Sequence, residues 1–382
     1  MKLTSTLSLL PTLLSLSSAA PTPYSDAPTT FSQREIFTPP SNANWTDPRV
    51  LYARSAELAD GTLLATWENY SPEPPAVHFP IFRSTDHGYT WEEIGQVHDT
   101  QNGWGLRYQP FLYVLKEPFA GYDAGTVLLS GSSIPTDLSR TQIELYASTD
   151  GGVTWEFLSH IAAGGEARTP NGLTPVWEPF LFPYEDKIIC FYSDQRDNET
   201  HGQKMVHQTT TDLKTWGPVV NDVRYPTYTD RPGMPTVQLL PNGKYIMAYE
   251  YGGGPTDTDT YEFPVHYKIA SSPEEFDAEV GLPVVATDGT IPKGSPYVVW
   301  SSVGGENGTL IISAHSSGDI YVNKGLGEGD WVPVASPEIS HYTRHLRVLE
   351  EDPSKLLLMG AGQLPPSETN RVQVSVMDIG DL

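Results

Sequence analysis

The chain has 382 residues, 38% hydrophobic and 18% charged, with 20 Tyr, 12 Phe and 9 Trp, an aromatic load that a disordered chain lacks because it cannot bury a core. Its 23 basic residues stand against 47 acidic ones, a formal charge of −24 that repels phosphate backbones and anionic membranes, so neither nucleic acid nor membrane is an expected partner. A single cysteine, Cys190 in the apolar run 188–192, excludes an internal disulfide framework and a cysteine-based zinc cluster; it reads as a buried, inert thiol.

The chain starts with Lys2, a leucine-rich stretch over 7–16 and the small residues Ser18, Ala19 and Ala20. That pattern predicts a secretory signal peptide over 1–20, hence an extracellular protein. The apolar run is shorter than the ~20 residues a membrane span needs. Residues 21–44, rich in Pro, Ser and Thr, are expected to form an extended N-terminal arm ahead of one domain over 45–382. Asn44, Asn198 and Asn307 sit in Asn-x-Ser/Thr sequons and are expected to carry glycans; Asn69 is the weakest sequon because Pro72 follows the triplet.

Helical periodicity is almost absent. Six segments share one plan: a polar residue, a short apolar strand, a turn, a second apolar strand and another polar residue. They run over 54–68, 109–132, 178–194, 234–250, 295–315 and 344–362. Three of the turns are hairpin dipeptides, Asp60-Gly61, Asn242-Gly243 and Asn307-Gly308. The starts fall about 50 to 70 residues apart, which suits one four-stranded propeller blade per unit. An all-β, six-bladed β-propeller is therefore expected. A second repeat agrees. Ser84 to Trp91 and Ser148 to Trp155 both read S-x-D-x-G-x-T-W, with shortened relatives at Thr210 to Trp216 and Asp330-Trp331. Asp86 and Asp150 are expected to bind turn N–H groups and have no chemical role. These turns resemble the Asp boxes of sialidase-type propellers.

In a propeller the first strand of each blade starts, and the second ends, on one face around the axis. Those positions supply Arg54, Gln109, Glu178, Met234, Ser295 and Arg344, and Glu68, Ser132, Asp194, Glu250, His315 and Gly362. Convergent polar groups at an axial mouth are the default active-site hypothesis. Glu178 lies between Trp177 and Pro179, and Glu250 between Tyr249 and Tyr251. Aromatic settings raise a carboxyl pKa, as a general acid at a glycosidic oxygen requires. A second, ionised carboxylate completes glycoside hydrolysis, and a retaining enzyme would hold the two about 5 to 5.5 Å apart.

The segments YARSAELADGTLLATWE, TPVWEPFLFP, RPGMPTVQLLPNGKYIMAYEYGGG and SHYTRHLRVL resemble fungal exo-1,5-α-L-arabinanases of glycoside hydrolase family 93. The resemblance implies a six-bladed sialidase-type propeller. It also implies release of arabinobiose from the non-reducing end of linear arabinan, with retention, by Glu178 as nucleophile and Glu250 as acid/base. Arg54, Gln109, Trp104, Trp177, Asp194, Tyr342 and Arg344 are expected to bind substrate. Arg54 and Arg344 would donate to sugar hydroxyls, hold the carboxylates ionised or form structural ion pairs, and Asp194 has Arg196 as an alternative partner. Trp104 and Trp177 would stack on a furanose ring or pack in the core. His341 and His345 stand four apart, a ligand spacing that needs a helix where a strand is expected, so no metal and no cofactor is expected. The substrate is expected to be a neutral polysaccharide and the protein a monomer. Two rivals remain: a sialidase using Arg54, Arg231 and Arg344 with Tyr342 as nucleophile, and a propeller that binds sugar without cleaving it.

Overall fold

The computed structural model describes residues 30–41, 44–253, 262–380 and 382; the expected signal peptide lies outside them. Six four-stranded antiparallel sheets are formed. Their innermost strands are Val50–Glu57, Leu106–Val114, Val176–Tyr184, Arg231–Leu239, Tyr297–Ser301 and His345–Val348. Each touches the next in chain order and the last touches the first, so the ring closes as a six-bladed β-propeller.

The second strands read as continuous apolar runs because both their faces are covered by neighbouring blades. Leu63–Asn69 is buried throughout, and Lys187–Asp194 is buried from Ile188 onward. Cys190 is buried with them. Between the sixth and first blades, Val50, Leu63 and Trp67 pack with Leu357, Met359 and Val374. The hairpin dipeptides behave as their chemistry requires: Gly61 and Gly243 both take φ 79, a left-handed conformation open to glycine at little cost.

One boundary differs from expectation. The arm drawn over 21–44 contains the strand Phe31–Phe37, which pairs antiparallel with Val372–Asp378, Phe31 opposite Val376 and Phe37 opposite Val372. It is the outermost strand of the sixth blade, so the two ends of the chain close the ring together. The hydrogen-bonding edge of Val372–Asp378 is 340 positions away in sequence, and nothing local in the arm reveals it.

The Asp boxes join third to fourth strands, on the face opposite the starts of the innermost strands. Asp86 accepts from Ser84 Oγ (2.8 Å), Thr90 N–H (2.8 Å) and Thr90 Oγ1 (2.6 Å), while Trp91 Nε1 donates to Gly88 O (2.8 Å). Asp150 repeats the pattern with Ser148 (2.8 Å) and Thr154 (2.9 and 2.6 Å). Burial pushes the Asp86 carboxyl up, but these donors outweigh it and hold the group below the usual range. Asp212 does the same work with Thr215 in the third copy. In the fourth, Asn323 replaces serine and aspartate together: it accepts from Gly325 and Gly327 N–H and donates to Glu328 and Asp330 carbonyls. Trp331 is buried against Tyr267. Asp86→Ala and Asp150→Ala should each cost about 0.5–1.5 kcal/mol of stability, because turn donors exchange their acceptor for water. Thermal melts should show the loss while kcat stays within about twofold of wild type at a permissive temperature.

Candidate active site

Six residues at the starts of the innermost strands share a conformation rare outside glycine. Tyr52, Gln109, Glu178, Met234, Ser295 and Thr343 have φ of 56, 58, 62, 59, 38 and 59. In the first four blades the pairing register skips at this point, so each residue sits in a β-bulge. Proline follows it in four blades, as Pro110, Pro179, Pro235 and Pro296, and proline has no N–H to give to the ladder. The bulge turns the backbone N–H of the left-handed residue toward the preceding blade. Gln109 N–H donates to Glu68 Oε1 (2.9 Å), Glu178 N–H to Gln109 Oε1 (3.1 Å), and Met234 N–H to Glu178 Oε2 (2.7 Å). Ser295 N–H donates to Glu250 Oε2 (2.7 Å), and Thr343 N–H to Ser295 Oγ (3.0 Å).

The second strands contribute the residues opposite the bulges. Glu68 pairs with Leu51, Ser132 with Tyr108, Ser193 with Trp177 and Glu250 with Gly233. Ser193 Oγ donates to Glu178 Oε2 at 2.6 Å, and Tyr70 Oη donates to Glu68 Oε2 at 2.7 Å. Glu68, Glu178 and Glu250 thus come together on one axial mouth, as expected. Gly233 leaves room for this: a Cβ there would stand 2.7 Å from Gln203 Nε2 and 3.6 Å from Glu178 Oε2.

The two central carboxyls differ in setting. Burial pushes Glu250 up to about 8, reinforced by the charge of Glu178 and opposed by Ser295 N–H and Arg231. Burial also raises Glu178, but Ser193, Met234 N–H, Arg231 and Arg54 all favour its ionised form. Burial pushes Glu68 up to about 7 against the donors Tyr70 and Gln109. Tyr342 stands among these carboxyls. Burial, then Glu250 and Glu178, hold its hydroxyl protonated, and that hydroxyl meets Met234 Sδ at 3.7 Å.

Three expected substrate contacts are displaced. Asp194 is one position past Ser193, and in a strand one position reverses the face. Asp194 is buried and forms an ion pair with Arg196 at 2.8 Å. Arg344 is one past Thr343; its guanidinium is spent on the carbonyls of Gly318, Asp319, Glu338 and Ile339, so it holds loops together and does not join Arg54 and Arg231. Arg54 is two past Tyr52, buried beneath the mouth. It donates to Thr343 O (3.0 Å) and lies 4.0 Å from the Tyr52 ring centroid, in charge contact with Glu178 but not at the surface a sugar would meet. Arg231 donates to Asn171, Gln195 and Gln203. Trp177 is buried and donates to Gln195 Oε1 at 2.9 Å, a packing role. Of the histidines, His341 Nε2 meets Glu338 (3.0 Å) and His345 Nε2 meets Ser55 (2.9 Å), so they do not converge.

Trp104 is half-buried on the loop between the first and second blades, on the face of the mouth. Asp99 fixes that loop, accepting the N–H groups of Gln101, Asn102, Trp104 and Gly105 and the hydroxyl of Ser133. Asn102 in turn donates to the buried Glu144 at 2.7 Å. Sequence reading missed Asp99, Ser193, Tyr52 and Thr343. The recurring x-Pro step after the bulge was the available signal for register. It is missing in the first and sixth blades, where Ala53 and Arg344 replace proline.

No protein-family model and no curated protein matches the chain. Among solved structures it is similar to the Penicillium chrysogenum α-L-arabinanase complexed with arabinobiose, at 59% identity over 93% of this chain and 100% of that one, TM-score 0.90. The glycoside hydrolase family 93 α-L-arabinofuranosidase of Fusarium graminearum with arabinobiose is 56% identical over 93% and 99%, TM-score 0.90. The NanB sialidase from Streptococcus pneumoniae, 12% identical over 92% and 71%, TM-score 0.60, shares the fold alone.

Burial pushes Glu68 and Glu144 up to about 7 and Glu250 up to about 8, from 4.5. A carboxyl raised by folding favours the native state only while protonated. That stability is complete below the unfolded value and is lost as pH rises through the folded one. The thermal midpoint should therefore fall between pH 5 and pH 8, and Glu144→Gln should flatten the slope in calorimetry across that window.

Proposed function

The chain belongs to glycoside hydrolase family 93, and on that premise we propose that it releases arabinobiose from the non-reducing end of linear 1,5-α-L-arabinan, with retention of configuration. The observation that carries the reading is the pair Glu178 and Glu250 on one axial mouth, both raised by burial, with more donors and cations opposing that rise at Glu178 than at Glu250. Glu250, protonated at neutral pH, gives its proton to the departing glycosidic oxygen. Glu178, held by Ser193 and Met234 N–H, attacks the anomeric carbon as a carboxylate and forms a glycosyl ester. Esterification removes the charge that helps raise Glu250, so Glu250 becomes a stronger acid and is left as carboxylate. It then takes a proton from water, which attacks the same carbon and frees Glu178.

Gln109 and Tyr342 offer hydrogen bonds to sugar hydroxyls at this mouth, and Trp104 a stacking face. Arg54 acts from below, its charge favouring the ionised form of Glu178. The sialidase alternative loses support because Arg344 is committed to loop carbonyls, leaving its proposed arginine cluster incomplete. Secretion follows from the leader-like first 20 residues, and the monomeric state is part of the same reading. Asn44 and Asn307 are exposed, Asn307 with its amide donating to Lys324 O (3.3 Å). Asn198 is half-buried with its amide on Gly172 O (2.7 Å), and Asn69 is buried in a strand.

Product analysis on debranched linear arabinan tests the function: arabinobiose should be the sole early product, and a ladder of oligomers or no product would refute it. Glu178→Ala and Glu250→Ala should each lose at least ~10³ in turnover while staying folded. Azide should rescue the first through a glycosyl azide of inverted configuration, and the second with configuration kept. The pH profile of kcat/KM should fall on the alkaline side as Glu250 deprotonates near 8. In Arg54→Met the acid limb should move to higher pH, because Glu178 loses a positive neighbour.

A further inference from the structure

The chemistry proposed above gives the mouth a direction. Glu250 hands its proton to the departing oxygen, so the leaving chain lies on the side of the fourth blade, and the ring under attack sits over Glu178. The sugars to be released therefore extend from Glu178 away from Glu250. In a closed ring of six the first blade stands opposite the fourth, so they run toward the first and second blades.

A wall stands there. Its base is Glu68, which is in charge contact with Glu178 and accepts from Tyr70 Oη at 2.7 Å. Tyr70 and Tyr342 both pack against the cluster of Tyr52 and Met234 at the mouth. The Tyr70 ring lies 6.0 Å from that of Tyr108 in the second blade, and both tyrosines are half-buried and keep accessible surface. Tyr70 also opens the loop over 70–78, which joins the second and third strands of the first blade on the face of the mouth.

That loop is latched across to the second blade. Arg107 Nη1 and Nη2 donate to Glu73 Oε1 (2.7 Å) and Oε2 (3.0 Å), and Thr136 Oγ1 donates to Oε2 (2.9 Å). Burial raises the Glu73 carboxyl, but these donors outweigh it and hold the group below its usual range. Both ends of the loop are fixed as well. Tyr70 N–H donates to Arg49 O at 3.0 Å, and Val77 packs so close to Gly105 that a Cβ there would stand 3.0 Å from Val77 O. Pro72, Pro74 and Pro75 restrict the backbone between. A bidentate arginine–carboxylate pair fixes geometry as well as energy, so the loop is a rigid part of the mouth.

We propose that this latched loop is the end-stop of the cleft: it meets the non-reducing end of the bound chain and so sets how many residues are released at each cut. The proposal rests on the exo-acting function proposed above and adds to it the residues that fix product length. Glu73 is a positioning residue in this scheme, acting through the loop it ties to Arg107 and Thr136.

Arabinohexaose tagged with a fluorophore at its reducing end reads the length of each cut. Wild type should leave tagged tetraose and then tagged biose, even-numbered fragments only. Glu73→Ala unlatches the loop and should raise odd-numbered tagged fragments at least fivefold over wild type. Glu73→Gln, which keeps the shape but loses the charge, should do the same more weakly, and it carries the test if the alanine variant fails to fold. Even-numbered fragments alone from folded, active variants, or a loss of turnover with fragment lengths unchanged, would overturn the end-stop. Wild type that itself leaves odd- and even-numbered fragments, or none, would refute the proposed function and the end-stop with it.

Discussion

Everything at the axial mouth depends on a left-handed residue at the start of each innermost strand. Such a conformation costs a non-glycine residue about 1–3 kcal/mol, and here it recurs in all six blades. It persists because the N–H it turns out of the ladder finds an acceptor on the preceding blade in five of them. Three of those acceptors are glutamate carboxyl groups, and such a bond is roughly twice as strong as a neutral one whenever the carboxyl is ionised. One device joins neighbouring blades, fixes the carboxylates and places Glu178 itself on a bulge. Strained bulges of this kind are common beside active sites, where they redirect a side chain.

The same stitching divides the labour between the two central glutamates. Glu250 receives one backbone donor, has Arg231 in charge contact and feels Glu178 as a negative neighbour; Glu178 receives a hydroxyl and a backbone donor and has two arginines, Arg231 and Arg54, in charge contact. Burial raises both, and more groups oppose that rise at Glu178 than at Glu250. The coupling runs through charge, so converting Glu178 to an ester would by itself lower Glu250. On the proposed mechanism the acid of the first step would then serve as the base of the second.

Much of this was legible in the sequence because it is written locally. Hairpin dipeptides, Asp boxes and apolar runs each encode their own turn or strand, and six of them in series imply a closed ring. Glu178 and Glu250 were legible because aromatic or proline neighbours mark a strand at the axis. What failed was register. Asp194, Arg344 and Arg54 were placed one or two positions from the residues that face the mouth, and in a bulged strand that is enough to send a side chain to another partner. The strand Phe31–Phe37 was hidden for a different reason: its pairing partner is at the other end of the chain, and an exposed polar arm carries no mark of it.

The measurement that bears most directly on the account is the site of covalent attachment. An arabinobioside with fluorine at C2 of the reacting ring and a good leaving group should slow the second step and trap the ester. Peptide mass spectrometry of the trapped enzyme should then find the disaccharide on Glu178. A label on Glu250 or Glu68, or release of the leaving group with no labelled peptide, would contradict it.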